Sequence, residues 1–112
     1  MTMKLPLKPD VFLILMILID DDAHGYGIIK EAETRTGGEL KLQAGALYRR
    51  LKWMLDEGLI DEIDGRPAGA DDRRRYYRIS ALGFAAVEAE ATRMARLVDD
   101  ARARNLVKDP SR

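Results

Sequence analysis

The sequence predicts a mainly α-helical chain carrying one small β-hairpin, and three observations lead there. A short amphipathic helix is marked by Ala46, Leu47, Leu51, Met54 and Leu55, which recur three and four apart. Two extended segments follow at residues 59–64 and 75–80, on either side of the turn-rich loop 65–72. A long helix with an apolar stripe then closes the chain. Helix followed by two-stranded wing is the order of a winged helix-turn-helix. That fold sets one helix in a major groove and lets a basic loop touch the backbone beside it.

The first helix is expected over residues 8–20, with Pro9 suited to its opening turn. Residues 11–19 are apolar on every side, and such a helix must be covered on every side. A domain this small has too little material for that, so a partner subunit is the economical cover. Phe12, Leu15, Met16 and Ile19 are its expected contacts. The second helix, residues 25–36, offers Ile28, Ile29 and Ala32 to the core and stops at Gly37-Gly38. The stretch 39–42 is read as a single small strand. The third helix carries Tyr48, Arg49 and Lys52 opposite its core face and ends at Glu57-Gly58, with glycine where a left-handed cap belongs.

Ser80 is a good N-cap for the last helix, expected to run to about residue 106. Phe84, Val87, Ala91, Met94, Val98 and Ala101 form a heptad-like seam along it, widened by Leu82, Ala86, Ala89 and Leu97. Glu88, Glu90, Arg93, Arg96, Asp99, Asp100, Arg102 and Arg104 take the remaining positions. The seam is read as a dimer interface. The expected organisation is a winged helix-turn-helix over 1–80, its first helix shared with the dimer interface, a dimerisation helix over 81–107, and a disordered tail at 108–112.

With 112 residues the chain forms one domain, too small for a roomy enzyme cleft. Net charge is zero, but the charges are segregated. Between residues 41 and 54 stand Lys41, Arg49, Arg50 and Lys52 with no acid, and between 66 and 78 five arginines face only Asp71 and Asp72. A basic face on a neutral protein still attracts a duplex, which responds to the local field. The other reading of such runs is plain solvated surface. With no cysteine there are no disulfides and no thiolate metal sites, which fits a reducing cytoplasm. No signal peptide is expected, and the apolar run 11–19 is about half the ~20 residues that span a bilayer. No nucleophile–base pair, phosphate loop or metal-ligand spacing points to an enzyme, a cofactor or a metal. His24, the single histidine, is read as a helix N-terminal residue positioned by its turn.

The candidate DNA-contacting set is Gln43, Gly45, Tyr48, Arg49 and Lys52 on the third helix, with Arg66, Arg73 and Arg74 flanking the wing tip. Arginine or lysine pairs with guanine and glutamine with adenine in the major groove. Tyr48 sits where a phenol reaches a phosphate, or else packs on the second helix. Arg50 either joins the basic face or bonds to an acid such as Asp56 or Glu57. Ala68-Gly69-Ala70 makes the wing tip flexible, and strand alternation places Tyr77 and Ile79 on the core face.

Four patterns in register resemble the PadR family of bacterial transcriptional regulators. His24-Gly25-Tyr26-Gly27-Ile28 is similar to the family's His-Gly-Tyr-Glu-Ile element, with glycine in place of the glutamate. Gly45-Ala46-Leu47-Tyr48-Arg49-Arg50-Leu51 resembles its Gly-Thr-Leu-Tyr-Pro-x-Leu signature, with Arg49 where proline is common. Glu57-Gly58-Leu59-Ile60 matches the helix-to-wing junction, and residues 74–83 match the return strand and the start of the last helix. Gln43-Ala44 stands where the family usually has Ser or Thr followed by proline. The resemblance implies a homodimer on a pseudo-palindromic operator of double-stranded DNA, usually as a repressor, and in many members released by a small effector. The pocket it implies lies between the first and last helices, with Phe12, Met16 and Met94 as possible lining residues or plain core. The alternative from another class is a winged-helix protein-interaction adaptor without sequence-specific DNA binding.

Overall fold

A computed structural model describes residues 5–63 and 75–108. Its elements are α1 (Pro9–Asp20), β1 (Ala23–His24), α2 (Gly25–Thr36), α3 (Ala44–Asp56), β2 (Ile60–Ile63), β3 (Tyr76–Ile79) and α4 (Ala81–Ala103). The sheet is antiparallel in the order β1-β3-β2, so the return strand of the wing lies between the other two. The fold is therefore the expected one, with a third strand added. The stretch 39–42 forms no strand. The short strand is at Ala23–His24 instead, because β3 has a free edge there and pairs Ala23 with Tyr77 and His24 with Tyr76.

The core gathers Val11, Ile14, Leu15 and Leu18 of α1, Ile28 and Ala32 of α2, Leu47, Leu51 and Met54 of α3, Leu59, Tyr77, and Ala86 and Val87 of α4. Ala46, expected on the core face of α3, is exposed. It precedes Leu47 by one residue, about 100° around the helix, which turns it out of the buried stripe.

Helix ends are set by local chemistry. The α2 N-cap is His24, whose Nδ1 accepts from the Gly27 amide at 3.0 Å, and Gly37 stops the helix in the left-handed region at φ 61°. At the end of α3 the Leu59 amide reaches back to the Met54 carbonyl at 2.9 Å and Gly58 bonds to Leu55 at 3.1 Å. Gly58 takes φ 77° to make this Schellman closure, which drops Leu59 into the core. Ser80 ties the next junction down. Its Oγ accepts from the Gly83 amide at 3.0 Å and donates to the Gly58 carbonyl at 2.5 Å, while its own amide donates to the Leu59 carbonyl at 3.0 Å. A β-carbon on Gly83 would collide with that same Leu59 carbonyl, so only glycine permits the approach. The first turn of α4 is thus fastened to the exit of α3.

The two halves of α4 differ. Gly83, Ala86, Val87 and Glu90 are buried on the chain's own body, and no residue from 91 to 103 is. Twenty-three residues make a helix of about 35 Å, so the second half stands clear of the domain. Leu15 and Val87, both expected at a dimer interface, are fully enclosed within the chain itself and offer nothing to a partner. The remaining seam residues are exposed or half-buried: Phe84 (49% exposed), Ala91, Met94, Val98 and Ala101, with Met16 and Ile19 exposed on α1 and Phe12 half-buried.

Candidate nucleic-acid interface

The site is built on α3, whose buried stripe Leu47, Leu51 and Met54 fixes which side faces out. Gln43, Gly45, Arg49 and Lys52 all fall on the exposed side. Gln43 occupies the N-cap but its side chain makes no capping bond, which leaves the amide group available. Lys52 leans on Asp56 at 3.3 Å, an exposed pair one turn apart that is worth little in water. Arg49 forms no ion pair among the described residues. Its planar guanidinium offers a fork of donors on this face.

Tyr48 packs on α2 and keeps half of its surface open. Its hydroxyl lies so close over Gly25 that a β-carbon there would sit 2.5 Å from it, so the ring packs on the opening turn of α2. The side chain is nevertheless 51% exposed. It occupies the rim between the packed helices and solvent.

Arg50 turns away from this face. Its Nε donates to Asp10 of α1 at 2.9 Å, with both side chains partly buried, and Asp10 also accepts from the Val11 amide at 2.8 Å. The partner is therefore an acid forty positions upstream rather than Asp56 or Glu57, because Arg50 lies on the flank of α3 nearest the start of α1. Arg78 is likewise committed. It makes a two-pronged pair with Asp22 at 2.7 and 3.1 Å, and that bonding raises its pKa above the usual arginine value. Tyr77 is buried as expected, and burial pushes its phenol up. Arg75 approaches Glu62 across the hairpin at 3.6 Å. The candidates Arg66, Arg73 and Arg74, the flexible tip 68–70 and the tail beyond residue 108 lie outside the described residues.

Sequence reasoning passed over the edge of α2. Tyr26 is 57% exposed, stacks on His24 with centroids 6.5 Å apart, and has the Lys30 ammonium 5.7 Å from its ring centroid. The signal was present as an aromatic and a lysine four apart on one helix face. Surface clefts lie between α1 and α2, by Asp20, Asp22 and Arg35, and between the starts of α1 and α3, by Lys8, Leu42 and Arg50. Neither is lined by Phe12, Met16 or Met94. Among the described residues no group of three or more His, Cys, Asp or Glu is placed to hold a metal, and no helix is long and apolar enough to cross a membrane.

The profile of the transcriptional regulator PadR-like family matches residues 14–89, most of the chain and all of this site. The chain belongs to that family. A PadR family transcription regulator from Clostridium difficile has a similar structure, with a TM-score of 0.70 at 26% identity over 86% of this chain and 97% of that one. Bacillus subtilis PadR, solved in complex with operator DNA, shares the fold with a TM-score of 0.64 at 20% identity. That match takes in 75% of this chain but only 46% of the other. An uncharacterized protein of Lysinibacillus sphaericus is 29% identical over 73 residues, 65% of this chain and 66% of that protein, just under two thirds of its length. The PadR-like region ends at residue 89, so the free half of α4 lies beyond it.

Proposed function

We propose that this PadR-like protein is a homodimeric, cytoplasmic DNA-binding regulator that represses transcription by occluding a pseudo-palindromic operator. The observation that carries the reading is the outward face of α3. There Gln43, Gly45, Arg49 and Lys52 are all exposed on a helix held by its buried stripe Leu47, Leu51 and Met54, and Arg49 is left without a counter-ion among the described residues. An arginine on a firmly held helix is what direct reading of guanine in a major groove requires. The DNA-bound structure of Bacillus subtilis PadR, which shares the fold, supports the same use.

The homodimer rests on apolar surface the chain cannot cover alone. Met16, Ile19, Phe84, Leu97 (57% exposed) and Val98 are all exposed on α1 and α4. A second copy brings a second α3, and two-fold symmetry in the protein implies two-fold symmetry in the operator. A small effector held where Phe12, Met16 and Met94 meet a second copy is the release route this reading allows. Random-site selection with purified protein tests the proposal. Enrichment of an inverted repeat with half-sites about one helical turn apart is the expected result. Enrichment of no sequence, with no retention on heparin at moderate salt, would favour an adaptor that does not use DNA.

A further inference from the structure

We propose that the cleft between the start of α1 and the start of α3 is a binding site for a small organic anion, a carboxylate carried on a short apolar body, and that filling it opposes DNA binding. The site lies within one chain and is separate from the α1–α4 surface considered above. Its existence does not depend on the DNA-binding reading; its effect on DNA rests on that reading.

Shape and apolar lining come first. The cleft holds about 530 Å³, within the roughly 300–1,000 Å³ that small-molecule sites take. Leu40, Leu42 and Ala46 line it. Leu42 packs against the core, in a connection that forms no strand. Ala46 is the α3 residue whose spacing suggested the core; it borders this cleft instead, and only its small side chain leaves the space open.

Charge comes second. Lys8, Lys41 and Arg50 line the same cleft, against the single carboxylate of Asp10. That carboxylate is already engaged, by Arg50 at 2.9 Å and by the Val11 amide at 2.8 Å. Lys8 and Lys41 form no ion pair among the described residues. Three cations and one anion leave two positive charges uncompensated. The first turn of α3 carries no acid and Gln43 gives it no side-chain cap, so the positive end of that helix adds to the field.

The two halves of the lining together select the ligand. A neutral apolar molecule would leave both ammonium groups unpaired. A phosphodiester is polar on every side and would leave Leu40, Leu42 and Ala46 in water. A carboxylate with a short hydrocarbon tail satisfies both, with charge-assisted bonds to lysines whose flexible stems can close over it. Gln43 also lines the cleft, and it is a candidate base contact at the head of α3. An anion seated beside it sets negative charge where a duplex would bring its own.

The test uses the whole protein, labelled with nitrogen-15 and titrated with sodium hexanoate to about 10 mM, well above the millimolar dissociation constant expected of so small a ligand. Amide shifts should saturate and concentrate at residues 40–46 and at 8, 10 and 11. 1-Hexanol, the neutral analogue, should bind about tenfold more weakly, as should hexanoate to the double variant Lys8→Gln with Lys41→Gln. Ala46→Leu, at an exposed helical position where leucine is tolerated, should fill the cleft and abolish the shifts with the melting temperature kept. Shifts confined to α1 and α4 around Met16, Phe84 and Val98, no saturation, or equal binding of hexanol would each overturn the site. In a second arm, anisotropy of a labelled mixed-sequence duplex should show weaker binding in hexanoate than in an equal concentration of sodium chloride. Equal affinity in the two salts would overturn the opposition to DNA and leave the site standing. Failure of the wild type to bind the duplex at low salt would overturn the DNA-binding reading and that opposition with it, while the amide shifts decide the site alone.

Discussion

Replacing Glu90 by glutamine removes one charge from the inside of the molecule and nothing else. The carboxylate is 2% exposed. It accepts the Leu7 amide at 2.9 Å and the Arg93 guanidinium at 2.5 and 3.1 Å, so it pins the segment before α1 onto α4. Glutamine keeps the shape and one acceptor, but the Leu7 bond falls from the charge-assisted class to the neutral one, a loss of about 1 kcal/mol. Arg93 is partly exposed and can turn to water, so it adds little. Glu90→Ala goes further and leaves the buried Leu7 amide with no acceptor, at about 1–3 kcal/mol. For a domain of this size each 1 kcal/mol lowers the melting temperature by roughly 4–8 °C, read by circular dichroism at fixed protein concentration.

The pH dependence supplies the stricter check. The Arg93 guanidinium, opposed by desolvation and helped by the Leu7 amide, holds the Glu90 carboxyl below its ordinary value of 4.5. A carboxyl depressed on folding stabilises the native state above its unfolded pKa, and that contribution is lost as pH falls through the folded value. The gap between wild type and Glu90→Gln should therefore hold steady at neutral pH and close in acid below the ordinary carboxylate range. A glutamine variant that melts with the wild type at pH 7, or a gap that persists undiminished in strong acid, would refute the reasoning.

Arg49→Ala should cost specific affinity about 1–3 kcal/mol if the guanidinium reads a base, and far less on mixed-sequence DNA. Equal losses on both, compared by anisotropy, would make it a phosphate contact. Gly83→Ala should destabilise the fold by about 3 kcal/mol or more, since its β-carbon meets backbone rather than a movable side chain. Thermal melting checks this, and a wild-type melting temperature would contradict the tight junction. If the proposed homodimer forms through this surface, Phe84→Glu combined with Val98→Glu should yield a monomer in sedimentation equilibrium where the wild type is a dimer, while circular dichroism keeps its helical signal, because both side chains are exposed in the single chain.

Most of the architecture was legible because local chemistry marks it. Helix α2 begins and ends where His24 and Gly37 cap it, and the α3-to-wing turn is announced by Gly58. What escaped depends on distant partners. Strand β1 is two residues long, too short to show alternation, and exists only because β3 has a free edge. Arg50 pairs with Asp10 at the start of α1, forty positions away, which no spacing reveals. Leu15 and Val87 were assigned to a partner because apolar residues look alike whichever body covers them. Glu90 stands among the charged residues outside the apolar stripe, yet it falls in phase with Gly83, Ala86 and Val87. Helical phase was the better guide there.

The knot at Ser80 has a consequence for how any signal would cross this molecule. Ser80 and Gly83 weld the root of α4 to the last turn of α3 through the carbonyls of Gly58 and Leu59, so no hinge separates the lever from the reading head. A torque applied to the far end of α4 must swing the entire body as one rigid crank. In a two-fold pair such a swing changes the distance and pitch between the two reading heads while each keeps its own shape. Control would then act on the span between half-sites and not on the grip at either one.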